Sequence, residues 1–306
     1  MASSAMLTLI WPEAAGVLQP INRVTWPDAL QKILHKSRFQ ADQSDYPSLL
    51  LQQFGQANGS DLPLAALRFP GETAICADLC YLHADRDCLR LFHRDLQVSD
   101  AEATQLQACL KPLLDEFQGE WLTYSAKHWG MRLPALPTMQ WPAIDKLEGQ
   151  SIGDRLPVGS EQNNWRRLLN EIQMTLFKHP VNQQREAAGL LPVNAVWFSG
   201  AAALDFNADW QHVAGDEALL KPLANFINAD YQQSFEMLLK QKRKGKTLIV
   251  LPAFDNEGDW QNELEILTQQ VFEPLWQQLR RLQLREVQIC VPQHGQYSLS
   301  SWRSWL

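Results

Sequence analysis

Apolar residues recur along this chain in two rhythms. Trp165, Leu168, Leu169, Ile172 and Leu176 fall at helical spacing and predict one apolar stripe that covers a core. By contrast, Met6–Trp11, Val193–Phe198, Thr247–Pro252 and Val287–Val291 are short runs rich in strand formers and predict buried strands. Short helices are expected over Asp28–Leu34 and Tyr46–Phe54. Thr73–His83 and Cys88–Phe92 flank the turn Asp85-Arg86-Asp87, the pattern of a hairpin. Ser99 and Glu102 form a capping-box signature ahead of a helix carrying Leu106, Leu110, Leu113, Leu114 and Phe117, kinked near Pro112. Segments 120–125 and 129–133 read as two more strands, and 134–159, dense in proline and glycine without a period, as a linker or irregular crossing. Further helices are expected near 216–224 and 226–243, and the stripe Trp260, Leu264, Leu267 and Val271 marks another that bends or breaks at Pro274.

Helices alternating with apolar strands predict an α/β fold with a doubly wound, largely parallel sheet covered on both faces. The expected division is a main α/β domain over 1–70 and 160–306, with a smaller inserted α/β subdomain and linker over 71–159. At 306 residues and 45% hydrophobic content the chain can bury a large core. Its net charge of -7 opposes nonspecific attraction to nucleic acid or anionic lipid. No apolar run is long enough for a membrane span, and the apolar Met6–Trp11 stretch lacks a preceding basic residue, so no export signal and a cytoplasmic location are expected. The five cysteines, Cys76, Cys80, Cys88, Cys109 and Cys290, fit neither a disulfide framework nor paired zinc knuckles. Cys76 and Cys80 share a strand face and read as small buried hydrophobes.

Candidate chemistry concentrates at one corner. Pro180 suits the first turn of a helix and turns His179 away from the preceding one, Gly189 can cap the new helix, and Pro192 follows. The corner thus carries His179, Asn182, Arg185 and Asn194 in an apolar neighbourhood. Arg185 suits a bidentate carboxylate or phosphate. Equally, the asparagines can satisfy backbone groups while Arg185 pairs with an acid of the fold. Asp205, Asp209 and His212 have spacings that fit one helical face, though solvent exposure explains them as well. Lys240, Lys242, Arg243, Lys244 and Lys246 read as a cationic helix end closed by Gly245 rather than a nucleic-acid site. Trp302-Arg303-Ser304-Trp305-Leu306 either docks a protein partner or packs its rings into the fold.

The segment His179–Asn194, written H-P-V-N-x-x-R-x-x-G-x-x-P-x-N, resembles the signature of archaeal-type cofactor-independent phosphoglycerate mutases of the alkaline-phosphatase superfamily. It is more similar still to bacterial RpfE-type regulatory proteins, through Trp165-Arg166-Arg167-Leu168-Leu169-Asn170-Glu171, the Trp197 strand and Leu219-Leu220-Lys221-x-Leu223-Ala224. The close resemblance spans about 160–224, and Cys76–Phe92 and Phe254-Asp255 to Asp259 look like weaker continuations.

The resemblance implies an alkaline-phosphatase-like fold and, in a mutase, two divalent metals held by Asp and His, a nucleophilic Ser, and Arg and Lys groups for substrate. His179, Asn182, Arg185, Asn194 and Lys221 then become candidate ligands of a small phosphorylated or carboxylated molecule. The metal set is broken. Trp11-Pro12-Glu13 stands where the family carries a metal-binding Asp, Ser199-Gly200 where it carries Arg-Gly, and His294 alone remains of the late Asp-His element. The favoured expectation is a non-catalytic regulatory or binding protein without a cofactor. The alternative is a metal-dependent phosphoester hydrolase or mutase-like enzyme whose ligands are rebuilt from Asp205, Asp209, His212, Asp255, Asp259 and His294.

Overall fold

A computed structural model describes residues 5–18, 26–56, 61–240, 244–253 and 260–305. The chain opens with β1 (Met6–Ile10), α1 (Asp28–Lys36), β2 (Arg38–Ala41), α2 (Tyr46–Gln53) and α3 (Leu64–Arg68). The hairpin follows as β3 (Ala74–Asp85) and β4 (Cys88–Phe92), then α4 (Asp100–Leu110), β5 (Glu120–Thr123) and β6 (His128–Arg132). Two short strands, β7 (Met139–Gln140) and β8 (Val158–Gly159), precede α5 (Gln162–Phe177), α6 (Pro180–Ala187) and β9 (Ala195–Ser199). The remainder is β10 (His212–Ala214), α7 (Leu220–Phe226), β11 (Asp230–Gln232), α8 (Glu236–Lys240), β12 (Lys246–Val250), α9 (Trp260–Leu267), α10 (Glu273–Arg280), β13 (Glu286–Val291) and β14 (Gly295–Ser300).

The chain forms two compact units, Met1–Ala57 with Asp205–Leu306, and Asn58–Leu204. In the first, a seven-stranded sheet runs in the order β11-β10-β12-β1-β13-β14-β2. β1 pairs parallel with β12 and β13, and β10 with β11 and β12, while β14 and β2 close one edge antiparallel. The largely parallel α/β sheet expected from the alternation is therefore present. Leu7 and Leu9 of β1 pack with Leu30 and Ile33 of α1 and Leu275 and Leu279 of α10, and Ile10 on the other side is also fully buried. At Pro274 the chain neither breaks nor stays regular. A π turn over Thr268–Phe272 joins α9 to α10, leaving Pro274 in the first turn of α10, where its missing N–H costs nothing.

The second unit is antiparallel. The twelve-residue β3 pairs through its first half with β6 and β9 and through its outer half with β4, and β5 pairs with β6. The run 193–198, expected in the parallel sheet, thus lies antiparallel beside β3. Its apolar character has a different cause: Val196 and Phe198 face the core under α4 and α5, while Ala195 and Trp197 face a second core formed with Ile144, Leu147 and Ile152. Burial on both faces reads alike in either sheet type. Accordingly 61–70 and 160–204, expected with the main domain, belong with 71–159.

The capping box forms as expected: the Ser99 hydroxyl accepts the Glu102 backbone N–H, and the Glu102 carboxylate accepts the Ser99 N–H. The chain passes at Lys111 into a 3-10 turn containing Pro112, the expected kink. Two expectations fail. Segment 226–243 is not one helix, because Asp230–Gln232 extends as β11 beside β10. Residues 205–209 are not helical either, and His212 opens a strand.

Candidate functional site

Every member of the 179–194 corner finds a partner inside its own unit. Asn182, 2% exposed, donates through Nδ2 to the carbonyls of Leu176 and Val193 at 2.8 Å each, and its Oδ1 accepts the Val193 N–H at 2.8 Å. One side chain thereby ties the end of α5 to the entry of β9. Asn194 clamps Leu82 of β3, accepting its N–H at 2.7 Å and donating to its carbonyl at 2.9 Å. Arg185, 3% exposed, donates from Nε to the Leu191 carbonyl and from Nη1 to Glu102 Oε1, both at 2.8 Å. Burial would raise the Glu102 carboxyl, yet Ser99 and Arg185 hold it below the ordinary carboxylate range. His179 caps α6, its Nδ1 accepting the Val181 N–H. Lys221 is exposed on α7 in the other unit.

Among the described residues the candidate metal ligands do not gather. Asp209 pairs with Lys246 at 2.6 Å, His212 with Asp230 at 3.3 Å, and the His294 ring hydrogen-bonds the Tyr297 hydroxyl at 2.8 Å. Asp205 contributes its backbone N–H to Gln56. Asp255 and Asp259 lie outside the described residues, as do Lys242 and Arg243 of the cationic run. Among the described residues no group of three or more His, Cys, Asp or Glu side chains could hold a metal ion. Trp11 is fully buried at the end of β1. All five cysteines are free. Among the described residues no helix is long and apolar enough to cross a membrane. The tail forms a 3-10 turn whose Ser304 is buried while Trp302 and Trp305 stay 60% and 59% exposed.

A polar cluster absent from the sequence-based candidates occupies the other side of the antiparallel sheet. Along β3, Ile75, Ala77 and Leu79 enter the core under the helices, so the alternate residues Cys76, Asp78 and Cys80 face away from it. Asp78 is fully buried, accepts from Arg68 Nη1 at 2.7 Å, and lies 2.8 Å from His128 Nδ1. An ionised carboxylate only accepts, so His128 carries a proton on Nδ1 there, and its side chain is 25% exposed. Burial alone would raise Asp78, but Arg68 and His128 outweigh it and hold the carboxyl below its ordinary value. The Arg68 guanidinium also lies over the Tyr124 ring at 5.7 Å.

Nearby, His93 Nε2 is 3.4 Å from Glu148 Oε2 and 3.6 Å from Asp145 Oδ1, with no hydrogen bond in place. Burial lowers this imidazole to about 4, against the pull of Glu148 and Asp78, so it is neutral at pH 7. Asp78 Oδ2 and Ser199 Oγ are likewise buried without a hydrogen-bond partner. Asp61 accepts backbone N–H groups from Leu62, Gly200 and Ala201, yet burial outweighs them and pushes it up to about 6. Gly200 is required there: its φ is +87°, and a Cβ would meet Cys76 Sγ at 2.7 Å. The arrangement can orient an imidazole for proton transfer. Among the described residues, however, no hydroxyl or thiol hydrogen-bonds to His128 Nε2. The available sequence signal was an Asp in the middle of an otherwise apolar strand, since a charge buried there needs a partner.

Two solved structures are among those similar to this chain. The cofactor-independent phosphoglycerate mutase from Thermoplasma acidophilum DSM 1728 superposes with a TM-score of 0.43 at 14% identity, over 98% of this chain and 90% of that one. The PH0037 protein from Pyrococcus horikoshii superposes with a TM-score of 0.53 at 12% identity, over 98% of this chain and 88% of that one. The second superposition shows a shared fold. No protein-family model matches the chain, and no curated protein does so by sequence.

Proposed function

We propose that the chain is a non-catalytic binding protein built on a fold of the phosphoglycerate-mutase kind and related to RpfE-type regulatory proteins. The observation that carries this reading is the commitment of Arg185. On the resemblance it would hold a substrate anion, but here it is buried with Nε on Leu191 and Nη1 on Glu102. Asn182 is likewise spent on backbone groups. Further support comes from Trp11, whose buried indole stands where the resemblance places a metal-binding carboxylate. Phosphoryl transfer depends on charge stabilisation that these positions would have to supply.

The test is direct. Purified full-length protein given 3-phosphoglycerate and Mn²⁺ should form no 2-phosphoglycerate above a heat-treated control. Metal-stimulated turnover overturns the reading. One observation favours an enzyme instead, the buried Asp78 behind His128, which is how an acid–base imidazole is oriented. On that second reading a substrate must bring its reacting group to His128 Nε2.

A further inference from the structure

We infer that a cavity within the inserted unit binds a small molecule with an apolar body and a polar head bearing no net negative charge. The cavity has a volume of about 640 Å³ and lies between the β3–β4 hairpin, the segment around Ile152, α5 and β9. Small-molecule sites commonly enclose roughly 300–1,000 Å³ and combine apolar walls with a few polar groups. All of its lining comes from Asn58–Leu204.

Its floor and mouth differ in chemistry. Leu82, Ile152, Val196 and Trp197 are buried. The one polar side-chain atom among these four is already spent, because Trp197 Nε1 donates to the Pro142 carbonyl at 2.9 Å. These four side chains offer no free hydrogen-bonding group, so the part of a ligand seated against them is apolar. At the mouth stand Arg86 and Asp87 from the hairpin turn, Asp154, and Asn170 and Gln173 on α5. Among the described residues none of these five has a side-chain hydrogen bond or ion pair, although Arg90 in the same hairpin is taken by Asp85. Asn170 and Gln173 are three apart on the helix and share a face, offering two carboxamides side by side. The charged groups are one cation and two carboxylates. That balance repels an anion and accommodates a neutral or zwitterionic hydrogen-bonding head.

The inference deepens the binding reading and relies on it only for the ligand's role. Cys88 makes it measurable. It lines the cavity and is half-buried, whereas Cys76, Cys80 and Cys290 are buried, so Cys109 is the other half-buried thiol. In full-length protein carrying Cys109→Ser, neutral N-phenyl-1-naphthylamine should bind saturably with fluorescence enhancement. At saturation it should slow alkylation of Cys88 by N-ethylmaleimide at least fivefold. Alkylated protein should lose the enhancement, and Cys88→Ser should bind the probe normally and ignore the reagent. The anionic probe 8-anilinonaphthalene-1-sulfonate should bind at least tenfold more weakly. The cavity assignment is overturned by an absence of probe binding, by an unchanged alkylation rate, or by enhancement that survives alkylation. Equal binding of the anionic probe overturns the head assignment. Phosphoglycerate turnover by a protein that still binds the neutral probe sinks the binding-protein reading and leaves the cavity standing.

Discussion

Replacing Arg185 by Ala separates a residue kept for a ligand from one kept for the fold. Truncation removes the Nε bond to Leu191 and the Nη1 bond to Glu102, each 2.8 Å long, from a side chain 3% exposed. A hydrogen bond from a charged group contributes about 1.5–3 kcal/mol. The Leu191 bond takes that range in full. The Glu102 bond counts for less, because that carboxylate is 23% exposed and keeps its Ser99 partners after Arg185 is gone. The sum is about 3–4 kcal/mol, with loss of the packed stem adding to it. For a unit of this size each kcal/mol moves the melting temperature by roughly 2–4 °C, so a drop of about 10 °C is expected.

Circular dichroism melts of wild type, Arg185→Ala, Glu102→Gln and the double variant supply the measurement, with a coupling of about 1–2 kcal/mol expected between the two sites. The acid dependence follows from the sign of the Glu102 shift. Its folded value is depressed, so its contribution is complete above the unfolded value of about 4.3 and is lost as pH falls through the folded value. The gap between wild type and Arg185→Ala should therefore narrow on acidification. A melting temperature for Arg185→Ala within about 2 °C of wild type would refute the reasoning. It would mean that the guanidinium is surplus to the fold and available to an anion.

Asp61 and His93 should pull in opposite directions between pH 6.5 and 4. Asp61, raised by burial to about 6, stabilises the fold as pH falls, whereas His93, lowered by burial to about 4, destabilises it, each by roughly 3 kcal/mol. Melts across that window should show Asp61→Asn losing stability on acidification and His93→Gln gaining it, and parallel curves for both would remove these assignments. Deleting Trp302–Leu306 should lower the melting temperature by less than about 5 °C, because both rings are more than half exposed and the Arg280 contact with Trp305 at 4.5 Å contributes only about 1 kcal/mol. A fall of 10 °C or more would show that the rings are packed in solution.

Local chemistry was legible where local chemistry decides. The capping box at Ser99 and Glu102, Pro180 opening α6, the Asp85-Arg86-Asp87 turn and the stripe of α5 all depend on neighbours within a few residues. Strand partners were not. β9 and β3 meet across more than a hundred residues, and what fixes their register is Asn194 gripping the Leu82 backbone, 112 positions away. β2 and β14 escaped notice because exposed Arg38–Ala41 and half-buried Gly295–Ser300 lack a sustained apolar run. The central parallel strands β1, β12 and β13 were recognisable because burial on both faces makes them continuously apolar, whereas the three-residue β10 and β11 are too short to show it. That same signature concealed the antiparallel pairing of β9.

The candidate site shows the same limit more sharply. Spacing alone places Asn182 and Arg185 one turn apart on α6, and a polar helix face in an apolar setting suits a ligand or a fold partner equally. What separates the two is whether the chain supplies the partner. Glu102 does so from 83 residues away, and as a capping-box residue its second role was invisible in the sequence. Asp78 illustrates the converse. Its place in an apolar strand announces a buried charge, yet only the fold brings Arg68 and His128 to one oxygen and leaves the other, with His93 Nε2, without a hydrogen bond. Buried polar atoms left unsatisfied cost about 1–3 kcal/mol each. The polar residues of the 179–194 corner are therefore consumed by the architecture. The side chains free to meet a ligand stand instead at the mouth of the cavity beside Trp197.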